Sequence, residues 1–317
     1  MPTAPTFGLI GAAGYIAPRH LAAIATVGGK LLFACDLHDS VGVLDSYFPK
    51  AEFSQSPPAF FNACAAAGVD YVVVCTPNHR HVDHVLAAFG AGADVICEKP
   101  LALSRPETAA LAAMERATGR RVYTVLQLRE LSQVRALRER IHASAPQRHD
   151  VRVAYVSRRG AWYFTSWKGD ETRSGGVAAN IGAHLFDLLT WLFGAPIEVE
   201  VHERSLARVR GRVLLVEAEV NFLLSVDPTD LPSGAGHAHR VLSVDGRALD
   251  LTRDAAWDEG VGQHIPEPDV AFTNAHVAVY RGVLAGDGWT IEDVQPGIDL
   301  TYLIRTASCT HQSGLTA

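Results

Sequence analysis

Lys99 closes an apolar run. In ICEKPLALS (96–104) an acid and a lysine follow a strand-like stretch, and a proline then locks the backbone. Lysine is among the side chains least often buried, so an ammonium at the end of an inner strand costs desolvation unless its charge is used. There it can orient a hydroxyl and stabilise negative charge developing on oxygen. The plain alternative is a surface lysine paired with Glu98. A second candidate stands in NIGAHLFDLL (180–189), where Asn180 and His184 are four residues apart on a predicted helix and so share a face. Removing hydride from a secondary alcohol requires its hydroxyl proton to leave too, and an imidazole titrating near neutrality can take it. Such a histidine can also be a satisfied core residue beside Leu185, Leu188, Leu189 and Leu192. Lys99 and His184 are the candidate catalytic pair, with their roles interchangeable.

A hydride acceptor has its own signature. GLIGAAGYIAPRH (8–20) places Gly11, Gly14 and Ala17 at a predicted strand-to-helix turn. Glycine permits the turn and lets a pyrophosphate approach the backbone, and the helix N-terminus presents N–H groups to it. The spacing G-x-x-G-x-x-A departs from G-x-G-x-x-G, and a Gly-rich turn can also serve only to pack a helix on a strand. Asp36 strengthens the cofactor reading. It ends the second strand, 22 residues after Gly14, where an acid accepts hydrogen bonds from an adenosine ribose. An acid there repels a 2′-phosphate, which favours NAD over NADP; its plain alternative is a cap or turn residue. CTPNHRH (75–81) ends another strand and offers Thr76, Pro77 and Asn78 to flank a nicotinamide. His79, His81 and His84 are close in sequence but do not share one face, so no metal site is expected. Neither G-x-S-x-G nor H-E-x-x-H occurs.

These residues need strand ends to hold them. TFGLIG, KLLFACD, YVVVCTP, DVICEKP and RRVYTVLQL alternate with helical stretches over residues 1–127. The short, continuous apolar runs suit strands buried on both faces, so the N-terminal domain is expected to be a doubly wound parallel sheet of the Rossmann type. From residue 128 to 317 the texture changes. DVRVAYVSRR, IEVEVHERS, RVLLVEAEVNFLLSV and HRVLSVDG suit a large, mostly antiparallel open sheet, and helices are expected near 270–285 and 291–307. The fold class is thus α/β, followed by an α+β domain.

Composition excludes several classes of function. A net charge of −6 without a basic block argues against a nucleic-acid partner. No apolar run approaches the ~20 residues that span a bilayer, and no basic segment leads into an apolar one at the N-terminus. A cytoplasmic protein is expected. Cys35, Cys64, Cys75, Cys97 and Cys309 form no C-x-x-C pair and read as small core residues of a reduced compartment.

TPN with the later His81, GADVICEKPLALS, and SGGVAANIGAHLFDLLTWLFG together resemble the Gfo/Idh/MocA oxidoreductases over nearly the whole chain. GAAGYIAPRHLAAI, DSVGVLDSYFPKAEF, LQLR and RGAWYFTSWKGDE are similar to one branch, the bacterial UDP-N-acetyl-glucosaminuronate 3-dehydrogenases. That resemblance implies NAD-dependent oxidation of the sugar C3 hydroxyl, on the way to diacetamido uronic acids of surface polysaccharide such as O-antigen. It implies cofactor contacts from Gly11, Gly14, Tyr15, Ile16, Asp36, Thr76, Pro77, Asn78, His81, Glu98 and Lys99. Several relatives carry aspartate at the position of Asn180, so Asn180 is assigned to orientation and substrate hydrogen bonding. Lys168 is the candidate for the uronate carboxylate. Arg129, Arg158 and Arg159 are further cations, Ser166 a sugar contact, and Trp162, Tyr163 and Trp167 walls or core. The open sheet is expected to leave an apolar face for a homo-oligomer, dimer or tetramer. Two other readings stand beside this one: a dehydrogenase of a free sugar or inositol, and a non-catalytic NAD-binding regulator.

Overall fold

The computed structural model describes residues 3–252 and 268–310. The chain forms two compact units, Met1–Gln127 with Phe272–Val294, and Leu128–Ala271 with Gln295–Ala317. The break after Gln127 coincides with the change of sequence pattern. The second domain is not continuous over 128–317, because 272–294 belongs to the first unit.

The first unit is built on six parallel strands: β1 (Thr6–Ile10), β2 (Lys30–Cys35), β3 (Glu52–Ser54), β4 (Tyr71–Val74), β5 (Asp94–Cys97) and β6 (Val122–Thr124). Their order is β3-β2-β1-β4-β5-β6. Crossovers run through α1 (Ala17–Thr26), α2 (Leu44–Tyr47), α3 (Pro57–Ala67), α4 (His81–Gly90) and α5 (Arg105–Thr118). Val72, Val73, Val74, Val95, Ile96 and Cys97 are all buried, which is why β4 and β5 are apolar without alternation. Strand order reverses between β1 and β4, the switch point where ligands of such sheets bind. Register brings the carboxyl ends level: Ile10 lies beside Cys35 and Val74, and Val74 beside Cys97.

Residues 272–294 rejoin this unit for apolar reasons. Val277, Val279, Tyr280 and Val283 of α11 (Pro268–Ala285) share one core with Phe7, Leu9, Leu21, Ile24 and Val73. Each such side chain contributes roughly 1.5–3 kcal/mol when fully buried. Farther on, Thr124 N–H donates to the Trp289 carbonyl at 2.9 Å.

The second unit carries a sheet of β7 (His149–Ser157), β8 (Pro196–Arg204), β9 (Arg208–Leu215), β10 (Ala218–Ser225), β11 (Ala238–Val244) and β12 (Arg247–Asp250), ordered β12-β11-β7-β10-β9-β8. Pairing is antiparallel except between β7 and β10. The single run RVLLVEAEVNFLLSV is folded back on itself: Val216 and Glu217 link β9 to β10, and their N–H groups donate to the carbonyls of Ala195 and Phe193. The helices of this unit are α6 (Ser132–Ala143), α7 (Ala161–Thr165), α8 (Glu171–Ser174), α9 (Gly176–Asn180), α10 (Ala183–Phe193) and the C-terminal part of α12 (Ile291–Thr306). Leu137 and Ile141 of α6 and Leu185, Phe186, Leu189 and Phe193 of α10 form a core with Val153, Val213, Val220 and Phe222 of the sheet.

The other face of that sheet is not the apolar surface expected. Glu198, Glu200 and Glu203 of β8 stand opposite Arg210 and Arg212 of β9 or beside them, and Arg212 pairs with Glu219 at 2.7 Å. Half-buried Leu214, Leu223, Ala154 and Val241 lie among these charges. Among the described residues no single helix is long and apolar enough to cross a membrane.

Candidate active site

In the first unit the predicted residues gather where the strand ends are level. Gly11 leaves β1 with φ +94°, and a Cβ there would lie 2.6–2.8 Å from the Cys75 and Thr76 backbone. Only glycine fits this approach. A Cβ on Gly14 would lie 3.0 Å from the Gly11 carbonyl oxygen. Tyr15 is exposed and Ile16 half-buried just ahead of α1, whose Ala17 and Arg19 N–H groups donate to the Gly14 and Ile16 carbonyls. Asp36 is half-buried; its Oδ2 accepts Ala13 N–H and its Oδ1 accepts His38 N–H, both at 2.9 Å. Each carboxylate oxygen keeps a further lone pair for a ligand. The turn role and the ribose role are therefore compatible.

Beyond β4, Thr76 Oγ1 lies 2.9 Å from His84 Nδ1, Pro77 follows, and Asn78 is buried in the turn Asn78–Arg80. Lys99 is half-buried after β5, its N–H donates to Glu98 Oε2 at 3.2 Å, and its peptide bond to Pro100 is cis. Two side chains assigned to the cofactor face protein instead. His81 bonds the carbonyls of Pro100 and Thr76. Glu98 is buried with Oε1 3.0 Å from His20 Nε2 and 3.4 Å from His276 Nε2. Its role is internal.

This cluster is what sequence reasoning missed. His20 Nδ1 lies 2.8 Å from the Tyr280 hydroxyl, and His276 Nε2 lies 3.1 Å from Gln127 Nε2. Burial alone would raise the Glu98 pKa, but hydrogen bonds from His20 and His276 outweigh it and hold it well below the usual range. Burial lowers that of His20. The two directions agree on an anionic Glu98 beside a neutral His20 that accepts from Tyr280 and donates to the carboxylate. The three ligand atoms of His20, Glu98 and His276 lie within 4.8 Å of one another, but this spacing is already met by the hydrogen bonds from the two histidines to Glu98. His20 stands on an apolar helix face, a visible signal for a buried histidine; nothing local in sequence joins it to His276.

The second unit collects most of the proposed substrate residues. Tyr163 is buried in α7, and its hydroxyl accepts from Asn180 Nδ2 at 3.1 Å. Ser166 Oγ donates to the Tyr163 carbonyl at 2.9 Å and accepts Lys168 N–H at 3.3 Å. The Lys168 ammonium lies 5.2 Å from the Trp162 ring centre and 5.7 Å from that of Trp167. Burial, then repulsion from Arg159, lowers the Lys168 pKa. A partly desolvated ammonium beside a guanidinium favours an anionic ligand. Arg158 is exposed.

Two expectations fail here. Arg129 is not a free cation for substrate: it is buried, and its Nε and Nη2 donate to the two oxygens of buried Asp187 at 2.8 and 2.6 Å. Asn180 and His184 do not share one helix. Asn180 ends α9, half-buried His184 is the second residue of α10, and the stretch Glu171–Asn180 and α10 meet at a bend of 47°. Gly182 sits at the bend, where a Cβ would lie 2.4 Å from the Ala178 carbonyl oxygen. Lys99 belongs to the first unit and His184 to the second.

Comparison with known proteins agrees with this architecture. Residues 6–126 match the oxidoreductase family profile GFO_IDH_MocA, NAD-binding Rossmann fold, and residues 149–219 its C-terminal alpha/beta domain. The chain is similar to the WlbA (WbpB) dehydrogenase of Thermus thermophilus solved with NAD and UDP-GlcNAcA: 40% identity, TM-score 0.88, covering 98% of this chain and 97% of that one. The structure of that dehydrogenase with NAD and alpha-ketoglutarate gives 41% identity and TM-score 0.87, over the same shares of the two chains. The chain spans about half the length of the curated relatives it matches. With Inositol 2-dehydrogenase 2 of Paenarthrobacter aurescens (strain TC1) it is 31% identical over 197 residues, 60% of this chain and 56% of that protein. The level strand ends, the glycine turn and these matches lead to one conclusion: the chain belongs to the Gfo/Idh/MocA family of oxidoreductases, whose N-terminal domain is an NAD-binding Rossmann fold.

Proposed function

We propose that this protein is an NAD-dependent dehydrogenase that oxidises the C3 hydroxyl of UDP-GlcNAcA to the 3-keto sugar, in the formation of diacetamido uronic acids of bacterial surface polysaccharide. One observation carries the reading: 40% identity over 98% of the chain to a dehydrogenase solved with NAD and that sugar nucleotide. Lys168 supports it, since a desolvated ammonium suits a uronate carboxylate.

The residues present fit the cofactor. Gly11 and Gly14 leave a cradle that a Cβ would fill, and Asp36 offers lone pairs to a ribose. The glycine turn with Tyr15 and Ile16, Asp36, Thr76–Asn78 and Lys99 would hold NAD, which supplies the hydride acceptor. His184 takes the hydroxyl proton as general base. Lys99 orients the hydroxyl and stabilises charge developing on its oxygen. Asn180, with its amide donated to Tyr163, and Ser166 bond the sugar, Trp167 walls it, and Lys168 takes the carboxylate. Arg129 and the Glu98 side chain support this machinery from within the protein. We further propose a cytoplasmic homo-oligomer, paired through the open sheet face.

The experiment is nicotinamide absorbance on mixing protein and NAD with UDP-GlcNAcA, the UDP-sugar lacking the carboxylate, myo-inositol or glucose. NADH should form with the uronate alone, and Lys99→Met should abolish most turnover while still binding NAD. NADH from inositol or glucose, but none from the uronate, would discard the substrate. Near-wild-type turnover in Lys99→Met would remove the lysine from catalysis.

A further inference from the structure

His81 opens α4 and is 1% exposed, so water does not serve its ring. Its Nδ1 lies 2.7 Å from the Pro100 carbonyl oxygen and its Nε2 lies 2.7 Å from the Thr76 carbonyl oxygen. Carbonyl oxygens accept and have no proton to give. A neutral imidazole carries one N–H and one lone pair, so one of these contacts would set lone pair against lone pair. Two N–H donors satisfy both, and ~2.7–2.9 Å is the length of a charge-assisted N–H···O bond.

We propose that His81 is held as an imidazolium and is a positioning residue, fastening the end of β4 at Thr76 to the Lys99–Pro100 turn after β5. One charged ring thereby sets the separation of two segments that carry the proposed nicotinamide contacts and the proposed catalytic lysine. The surrounding charges divide. Burial, the strongest influence, and the Lys99 ammonium pull the ring toward the neutral form, and on balance the surroundings lower its pKa. The two carbonyls and the Glu98 carboxylate act against them. The contact geometry decides, because only a ring with two N–H donors satisfies two carbonyls at 2.7 Å. On its own helix His84 is neutral at pH 7, and the buried thiols of Cys75 and Cys97, at the ends of β4 and β5, stay un-ionised. Glu98 is the carboxylate whose charge favours the protonated ring.

The positioning role rests on Lys99 being catalytic; the charge state does not, and the two are tested separately. Protein labelled with ¹⁵N at histidine is observed by NMR at pH 8, where an ordinary histidine is neutral, with the His81 signals identified by their loss in His81→Gln. Both ring nitrogens should be protonated. One protonated and one bare nitrogen would overturn the proposal. Should the variant not fold, neutron diffraction of the wild-type protein at pH 8 places the same hydrogens. Independently, His81→Gln should lower kcat by roughly ten- to a hundredfold, the scale of an ångström-level misplacement, with little change in the dissociation constant for NAD. Unchanged kcat in folded His81→Gln would overturn the positioning role and leave the NMR result to judge the charge.

Discussion

Resemblance assigns Glu98 and His81 to the cofactor, yet their side chains meet protein groups, two buried histidines for Glu98 and two backbone carbonyls for His81. Residue type and position single out Lys99 as a candidate, because an ammonium at an inner strand end needs a use. They were not enough for Glu98 or Arg129, whose partners His276 and Asp187 lie 178 and 58 residues away. A charged residue with a distant buried partner looks the same in sequence as one aimed at a ligand. His84 shows how burial sets behaviour at this scale. Burial, helped by repulsion from Arg80, lowers its pKa to about 4, while an unfolded histidine titrates near 6.5. Between these values the unfolded chain binds a proton that the folded one refuses. The stability held through His84 is complete above about pH 6.5 and falls as pH drops toward 4, by up to ~1.4 kcal/mol per pH unit. Urea denaturation at pH 7 and pH 5 should show wild type losing about 2 kcal/mol more than His84→Asn between the two. Equal losses would contradict a neutral, buried His84.

Elements buried on both faces were the legible ones. β4 and β5 announce themselves as continuous apolar runs, and Gly119 ends α5 at φ +71° as a C-terminal glycine should. β3 does not announce itself: three edge residues, two of them exposed, carry almost no pattern. The break between α9 and α10 was hidden for the opposite reason, since NIGAHLFDLL (180–189) is rich in apolar residues and reads as one helix. Only the close approach of Gly182 to the Ala178 carbonyl reveals the bend. The open face of the second sheet is likewise a property of pairing rather than of any one strand. Leu223, Ala154 and Val241 lie side by side across β10, β7 and β11, and charged pairs between β9 and β8 flank them on one side. Such a mixed face suits an isologous contact, with apolar centre and polar rim. Sedimentation at micromolar concentration should show a dimer or tetramer, and Leu223→Lys should shift it toward monomer. A wild-type monomer would contradict the contact.

At the scale of the whole molecule, the two sheet types follow from the texture of the sequence, but the path of the chain does not. The chain leaves the first unit after Gln127 and returns at Phe272, bringing Tyr280 to His20 and His276 to Glu98. Nothing in the composition of 272–294 marks that return, because an apolar helical stripe fits either core. The choice of hydroxyl is similar: strand ends and a glycine turn suit a nicotinamide cofactor, and the proposal of C3 rests on similarity to a dehydrogenase solved with NAD and UDP-GlcNAcA. UDP-GlcNAcA carrying deuterium at C3 tests that choice directly, by the mass of the NADH formed on mixing with protein and NAD. The account predicts NADH bearing the deuterium, and unlabelled NADH, or none at all, would contradict it.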